Sequence, residues 1–161
     1  MIEKCTLADV DALMADLRNM YVEMAPFGKM DEEKCISFLT DSIQHHVVLK
    51  KTEEEKLLGH MGLRVESHWY TKDVALYEYY CYVNPEHRKT RTAFDLYKVS
   101  KHIAKEAKVP FYYGTFRKPE SDFERVNKFL KRQGGQQVGS QSQKSILQAR
   151  STSPHRIWIS R

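Results

Sequence analysis

The chain has 161 residues, the size of one ordinary domain, and its 41% hydrophobic and 29% charged residues argue against wholesale disorder and against a membrane protein. No stretch nears the roughly 20 apolar residues of a membrane span, and the N-terminus runs into Glu3 and Lys4 without a signal-peptide core, so a cytoplasmic location is expected. The net charge of +5 hides an asymmetry: residues 1–87 hold 9 Lys and Arg against 16 Asp and Glu (−7), whereas residues 88–161 hold 17 against 5 (+12), which points the second half toward an anionic ligand or partner.

The first periodic segment is Leu7–Met24, where Leu7, Val10, Leu13, Leu17, Met20, Tyr21 and Met24 form one apolar helical face. Thr6 is its expected N-cap, and Pro26 and Gly28 end it. A second helix is expected over Asp31–Gln44, with Cys35, Phe38, Leu39 and Ile43 inward and Asp31, Glu32 and Glu33 at its positive end. The pattern then turns extended: His46–Lys50 and Leu57–Glu66 read as two strands joined by the charged turn Lys51–Lys56. Gly59 and Gly62 mark a bulge or a close backbone approach in the second of them. Val74–Val83, nearly continuous in strand-favouring residues and closed by Asn84-Pro85, reads as a central strand.

After Pro85–Thr90, positions Ala93, Leu96, Tyr97, Ser100, Ile103, Ala104 and Ala107 restore the helical period. Pro110–Phe116 is another short strand, and Phe123, Val126, Phe129 and Leu130 give a fourth helix that stops near Gly134-Gly135. Strand–helix alternation of this kind favours a parallel pairing within an α/β sheet, because a parallel crossover needs the length of a helix. Residues 142–161 form a tail or a terminal strand, Ile157-Trp158-Ile159, of the domain built by residues 1–141.

Cys5, Cys35 and Cys81 are odd in number and widely spaced, which fits neither a disulfide framework nor a CxxC site; they read as reduced and mostly buried. The histidines show no metal-ligand spacing, so no metal is expected. No Gly-x-Ser-x-Gly or P-loop sequence occurs, which removes common hydrolase and nucleoside-triphosphatase readings.

The order strand, two helices, three strands, helix, strand, helix, strand resembles the GNAT (Gcn5-related N-acetyltransferase) superfamily over about residues 2–140. The sharpest match is Tyr82-Val83-Asn84-Pro85-Glu86-His87-Arg88, which looks like the family's fourth strand entering its pyrophosphate loop. The resemblance implies a mixed, mostly antiparallel sheet with a splayed parallel pair between the fourth and fifth strands. It also implies acetyl-coenzyme A as co-substrate, with Tyr82, Val83, Arg88, Lys89, Thr90, Arg91, Thr92, Ala93 and Asn127 at the cofactor. In the family the loop reads Arg or Gln, two residues, Gly, one residue, then Gly or Ala; here Arg88-Lys89-Thr90-Arg91-Thr92-Ala93 places Arg91 at the central glycine. Arg91 adds a cation to a site where backbone amides at a helix start receive phosphates, whereas its bulk and its aversion to positive φ act to close the loop. Thr92 would offer a hydroxyl donor.

Direct acetyl transfer needs a base for the amine and an acid for the departing thiolate. By the resemblance Glu78, the sole acid in the Val74–Val83 run, is the base. Its tyrosine neighbours would raise its pKa. The family's acid tyrosine is replaced by Leu130, and Tyr80, Tyr82, Tyr112 or Tyr113 would have to donate instead. The expected activity is acetyl transfer to an amine of a protein or small molecule. The alternative, by analogy with compact bacteriophage proteins that resemble this fold, is a phage-encoded effector that binds and modulates a specific host protein without efficient catalysis. Nucleic acid and membrane are not expected partners.

Overall fold

A computed structural model describes residues 1–24, 28–67, 70–115, 128–134, 136–142 and 154–160. Among the described residues seven strands form one sheet: β1 (Ile2–Lys4), β2 (Val47–Glu53), β3 (Lys56–Ser67), β4 (Val74–Val83), β5 (Phe111–Thr115), β6 (Gln136–Ser142) and β7 (Pro154–Ser160). Their order is β1-β2-β3-β4-β5-β7-β6. β4 and β5 run parallel, and every other neighbouring pair is antiparallel. The mixed, mostly antiparallel sheet expected from the sequence is thus present, and the Ile157-Trp158-Ile159 segment lies in a strand inserted between β5 and β6.

Among the described residues the sheet is accompanied by α1 (Val10–Met24), α2 (Glu32–His45) and α3 (Thr92–Glu106). The apolar period that begins at Leu7 is not one helix, because Leu7–Asp9 is a 3-10 turn that precedes α1. The Asp9 carboxylate accepts from the Thr6 amide at 2.7 Å and from its hydroxyl at 3.2 Å, which fixes that tighter turn. Asp31 caps α2 by accepting the Lys34 amide at 3.0 Å, and Arg18 fastens α1 to α2 through two bonds to Glu32. The β2–β3 hairpin is longer than the sequence pattern indicates: only Glu54 and Glu55, both at positive φ, lie in the turn. Residues 128–132 are helical, and Gly134, at φ +79°, follows them; only glycine adopts that conformation without strain.

Alternation along the strands divides the core between the two faces. Leu49, Met61, Leu63, Leu76 and Phe111 pack with Leu96, Tyr97 and Ala104 of α3 and with Leu130. Val48 of β2 packs instead with Leu13, Met14 and Leu39 of α1 and α2. Each such buried aliphatic or aromatic side chain contributes about 1.5–3 kcal/mol, so α3 and the α1–α2 pair are held on their faces by burial rather than by helix propensity.

Strand β4 breaks its own alternation. Gly62 pairs with Tyr80 but Leu63 pairs with Glu78, leaving Tyr79 as an extra residue. A β-bulge of this kind re-aims side chains. As a result adjacent tyrosines meet the same partner: Phe38 of α2 lies 5.6 Å from the Tyr79 ring and 6.4 Å from the Tyr80 ring. Opposite them stands Gly62, where a side-chain carbon would lie 2.6 Å from the Tyr79 Oη and closer still to both rings.

Candidate functional site

Two features of the chain are carried by β4 and the loop that follows it. The first is the parallel pair itself. β4 and β5 share only the rows Leu76↔Phe111 and Tyr77↔Tyr112, although β4 continues to Val83 and β5 to Thr115. Beyond Tyr77 the two strands part. Glu78, the next residue of β4, reaches across this opening and accepts the Gly114 amide at 3.0 Å. Burial pushes its carboxyl up to about 8, against the opposing pull of the Gly114 hydrogen bond, as the sequence led us to expect for a carboxylate in an apolar strand.

The second feature is the loop that leads from β4 into α3. Pro85–His87 form a 3-10 turn, residues 88–91 continue as turn, and α3 starts at Thr92. The amides of a helix's first turn have no partner within the helix, and they carry the positive end of its dipole. The Thr90 hydroxyl takes one of them: it accepts the Thr92 amide at 3.2 Å, and lies 2.9 Å from the Thr92 hydroxyl and 2.7 Å from the His87 carbonyl. Thr92 is fully buried, so its hydroxyl is turned into the protein and paired with Thr90 rather than offered to a ligand. Lys89, Arg91 and Ala93 are exposed.

Arg91 sits at φ −82° and ψ 5°. Its backbone needs no left-handed conformation, so the steric objection raised by the sequence does not arise from the backbone. Its side chain is 74% exposed, 3.7 Å from Asp95 and 5.0 Å from the centre of the Phe94 ring. Arg88 behaves differently. Its Nε donates to the Val83 carbonyl at 2.9 Å and its Nη2 lies 2.7 Å from both oxygens of Glu23 near the end of α1, so this guanidinium is held by the protein's own carboxylate. Tyr82 and Val83 are buried; the Tyr82 hydroxyl donates to Glu23 at 3.3 Å, and burial, then the Glu23 charge, push its phenol up to about 12.

The structure therefore brings Glu78, in the middle of β4, to the opening, and the loop that follows β4 brings Arg88–Ala93 to the start of α3. It does not bring Tyr80 to the opening. Tyr80 packs on the α1–α2 face among Phe38, Tyr79 and His60, with burial holding its phenol well above the ordinary value and its hydroxyl without a hydrogen-bond partner among the described residues. The cause is the bulge at Tyr79, which puts Tyr80 out of phase with Leu76. Asn127 lies outside the described residues. Leu130 is 1% exposed and belongs to the core beside α3. Among the described residues no group of three His, Cys, Asp or Glu side chains could hold a metal ion, and no helix is long and apolar enough to cross a membrane.

Glu23 and Gly114 were not singled out by the sequence. A trace of each was available: a carboxylate in the last turn of a helix opposes the dipole and needs a cation elsewhere, and a glycine inside a strand marks a close approach.

No family model matches the chain, and no curated protein matches it in sequence. Solved structures do match. Ribosomal-protein-alanine N-acetyltransferase from Brucella melitensis superposes with a TM-score of 0.74 at 20% identity, over 99% of this chain and 98% of that one. The acetyltransferase of the GNAT family from Streptococcus pneumoniae gives 0.70 at 11% identity over 99% and 98%. The chain has the GNAT fold. A third match, the acetyltransferase-type protein yncA from Salmonella typhimurium with its cofactor acetyl-CoA, gives 0.75 at 14% identity over 99% and 91%. At these identities the likeness is one of fold.

Proposed function

We infer that the chain is an N-acetyltransferase that moves an acetyl group from acetyl-coenzyme A to an amine of a protein or small molecule. The observation that carries this reading is the β4/β5 opening with Glu78 inside it, on the same strand whose following loop leads, past exposed Lys89 and Arg91, into α3. A likeness to a fold-mate that carries acetyl-CoA supports it.

The residues present fit such a co-substrate. First-turn amides of α3 and two exposed cations suit a pyrophosphate, and Arg91 in an ordinary backbone conformation does not obstruct them. Bound there, acetyl-coenzyme A would supply an activated acyl group. Glu78, once ionised, is placed to take the proton of the attacking amine. Gly114 orients that carboxylate by donating its amide, and burial raises its basicity toward neutral pH. Thr90 holds the loop against α3, leaving the side chains of Lys89 and Arg91 for anions.

One observation favours a second reading, in which the chain acts mainly by holding a specific protein partner and turns over slowly. Leu130, buried in the core, stands where the resemblance puts the acid that protonates the thiolate. Calorimetric titration with coenzyme A, followed by detection of released thiol with acetyl-coenzyme A and a panel of amines and peptides, tests both. Binding with turnover supports the transferase; binding with no turnover on any amine favours the second reading; no binding overturns the first.

A further inference from the structure

Glu23 occupies an unfavourable place. It is the penultimate residue of α1, which has no basic residue in its last turn, so its carboxylate faces the negative end of the helix dipole. What holds it there comes from far along the chain: the Arg88 Nη2, 65 residues on, lies 2.7 Å from each of its oxygens, and the Tyr82 hydroxyl, 59 residues on, donates at 3.3 Å. The Arg88 guanidinium also lies 5.5 Å from the centre of the Tyr82 ring, and its Nε is tied to the Val83 carbonyl. Both side chains remain partly open, 27% for Arg88 and 39% for Glu23, so water and solutes reach the pair.

We propose that Glu23 is a positioning residue that competes with phosphate for Arg88, and thereby couples anion binding at the Arg88–Ala93 loop to the position of the C-terminal end of α1. The proposal rests on the reading of that loop as the pyrophosphate site. A guanidinium satisfied by a carboxylate contributes little field to an anion a few residues away. Freed from Glu23, it adds a full charge and its fork of donors. An anion that draws Arg88 away leaves Glu23 uncompensated at a helix C-terminus, and so loosens the contact that pins α1 to the end of β4. By linkage, whatever displaces the end of α1 then strengthens anion binding by the same factor. Helix α1 and the loop that follows β4 are in this way joined through one ion pair.

The test is titration of coenzyme A into the wild type, Glu23→Gln, Arg88→Met and the double variant, with thermal unfolding of each. Glu23→Gln is expected to bind coenzyme A at least about fivefold tighter while melting at a lower temperature. Stability and affinity thus move in opposite directions, which a merely structural role for Glu23 would not produce. In the Arg88→Met background the same change is expected to leave affinity unaltered. Glu23→Asp, one methylene shorter, is expected to give the same sign at smaller amplitude and serves if the glutamine variant does not fold. Equal or weaker binding by Glu23→Gln, or tightening that persists without Arg88, overturns the competition while leaving the phosphate site intact. Failure of the wild type and every variant to bind coenzyme A overturns the phosphate site, and this proposal with it.

Discussion

The Glu78 carboxylate meets the Gly114 amide at 3.0 Å just where β4 and β5 cease to pair, so a side chain takes up a backbone donor that the ladder leaves free. Its carboxyl is raised from 4.5 to about 8 by burial, and this has a sign for stability. Between those values the unfolded chain loses the proton and the folded chain keeps it, so stability falls as pH rises through the window and levels off above about 8. Glu78→Gln removes the titration. Relative to wild type it is expected to gain stability from pH 5 to pH 8, by on the order of 2–4 kcal/mol, in denaturant melts at several pH values.

In acetyl transfer the same group gives a second expectation. A base must be ionised, so turnover is expected to rise with pH toward a limb near 8, and Glu78→Gln is expected to lower kcat by about 10²–10⁴-fold and to remove that limb. A folded Glu78→Gln protein with a wild-type rate and pH profile would show that the amine is deprotonated elsewhere.

Arg91 stands at the central loop position with negative φ and an outward side chain, which leaves charge as its main contribution. Arg91→Gly and Arg91→Ala are therefore both expected to weaken coenzyme A binding, and Lys89→Ala with Arg91→Ala to weaken it by about tenfold or more. Tighter binding by Arg91→Gly in a calorimetric titration would mean that bulk at this position dominates after all.

Leu130→Tyr is expected not to restore a proton donor. At 1% exposure the site has no room for a phenol, and overpacking costs about 1–3 kcal/mol. Unfolding and rate measurements on the variant check this; a stable Leu130→Tyr protein with faster turnover would be the contrary outcome.

Gly62→Ala forces a methyl carbon against the Tyr79 and Tyr80 rings and is expected to destabilise by about 1–3 kcal/mol. The bulge that sets those rings side by side is the reason, so Gly62→Ala combined with Tyr79→Ala is expected to recover part of the loss in denaturant melts.

These expectations also mark how far the residues could be read before the structure. Val74–Val83 is a strand with those same bounds, because a continuous run of strand-favouring residues closed by Asn-Pro leaves little choice. The helical periods of α2 and α3 were equally plain, since local spacing alone determines them. Glu78 could be picked out as the one acid in its strand, and its raised pKa follows from its neighbours. The bulge at Tyr79 could not, because a single unpaired residue leaves no mark in a run of tyrosines; simple alternation puts Tyr80 in phase with Glu78, whereas the bulge turns it toward Phe38 and His60. The pairing of Arg88 with Glu23 spans 65 residues, and nothing periodic links two charges at that distance. Thr92 read as a free hydroxyl because its neighbour Thr90 gave no sign of bonding back to it. β6 and β7 were the least legible, the first being rich in Gln, Ser and Gly, a composition without a strand's alternation.

The two-row junction between β4 and β5 has a mechanical meaning. On one side lies the ladder β1-β2-β3-β4, on the other β5-β7-β6, and the rows Leu76↔Phe111 and Tyr77↔Tyr112, with the Tyr77 ring stacked on Tyr112 at 4.9 Å, are the seam between the two ladders. A rotation about that seam widens or narrows the gap at Glu78 without disturbing any other strand pairing, much as pages turn about a binding. Amide hydrogen exchange would register such motion as two blocks with separate opening energies, the β6–β7 amides exchanging as a group ahead of those shared by β3 and β4.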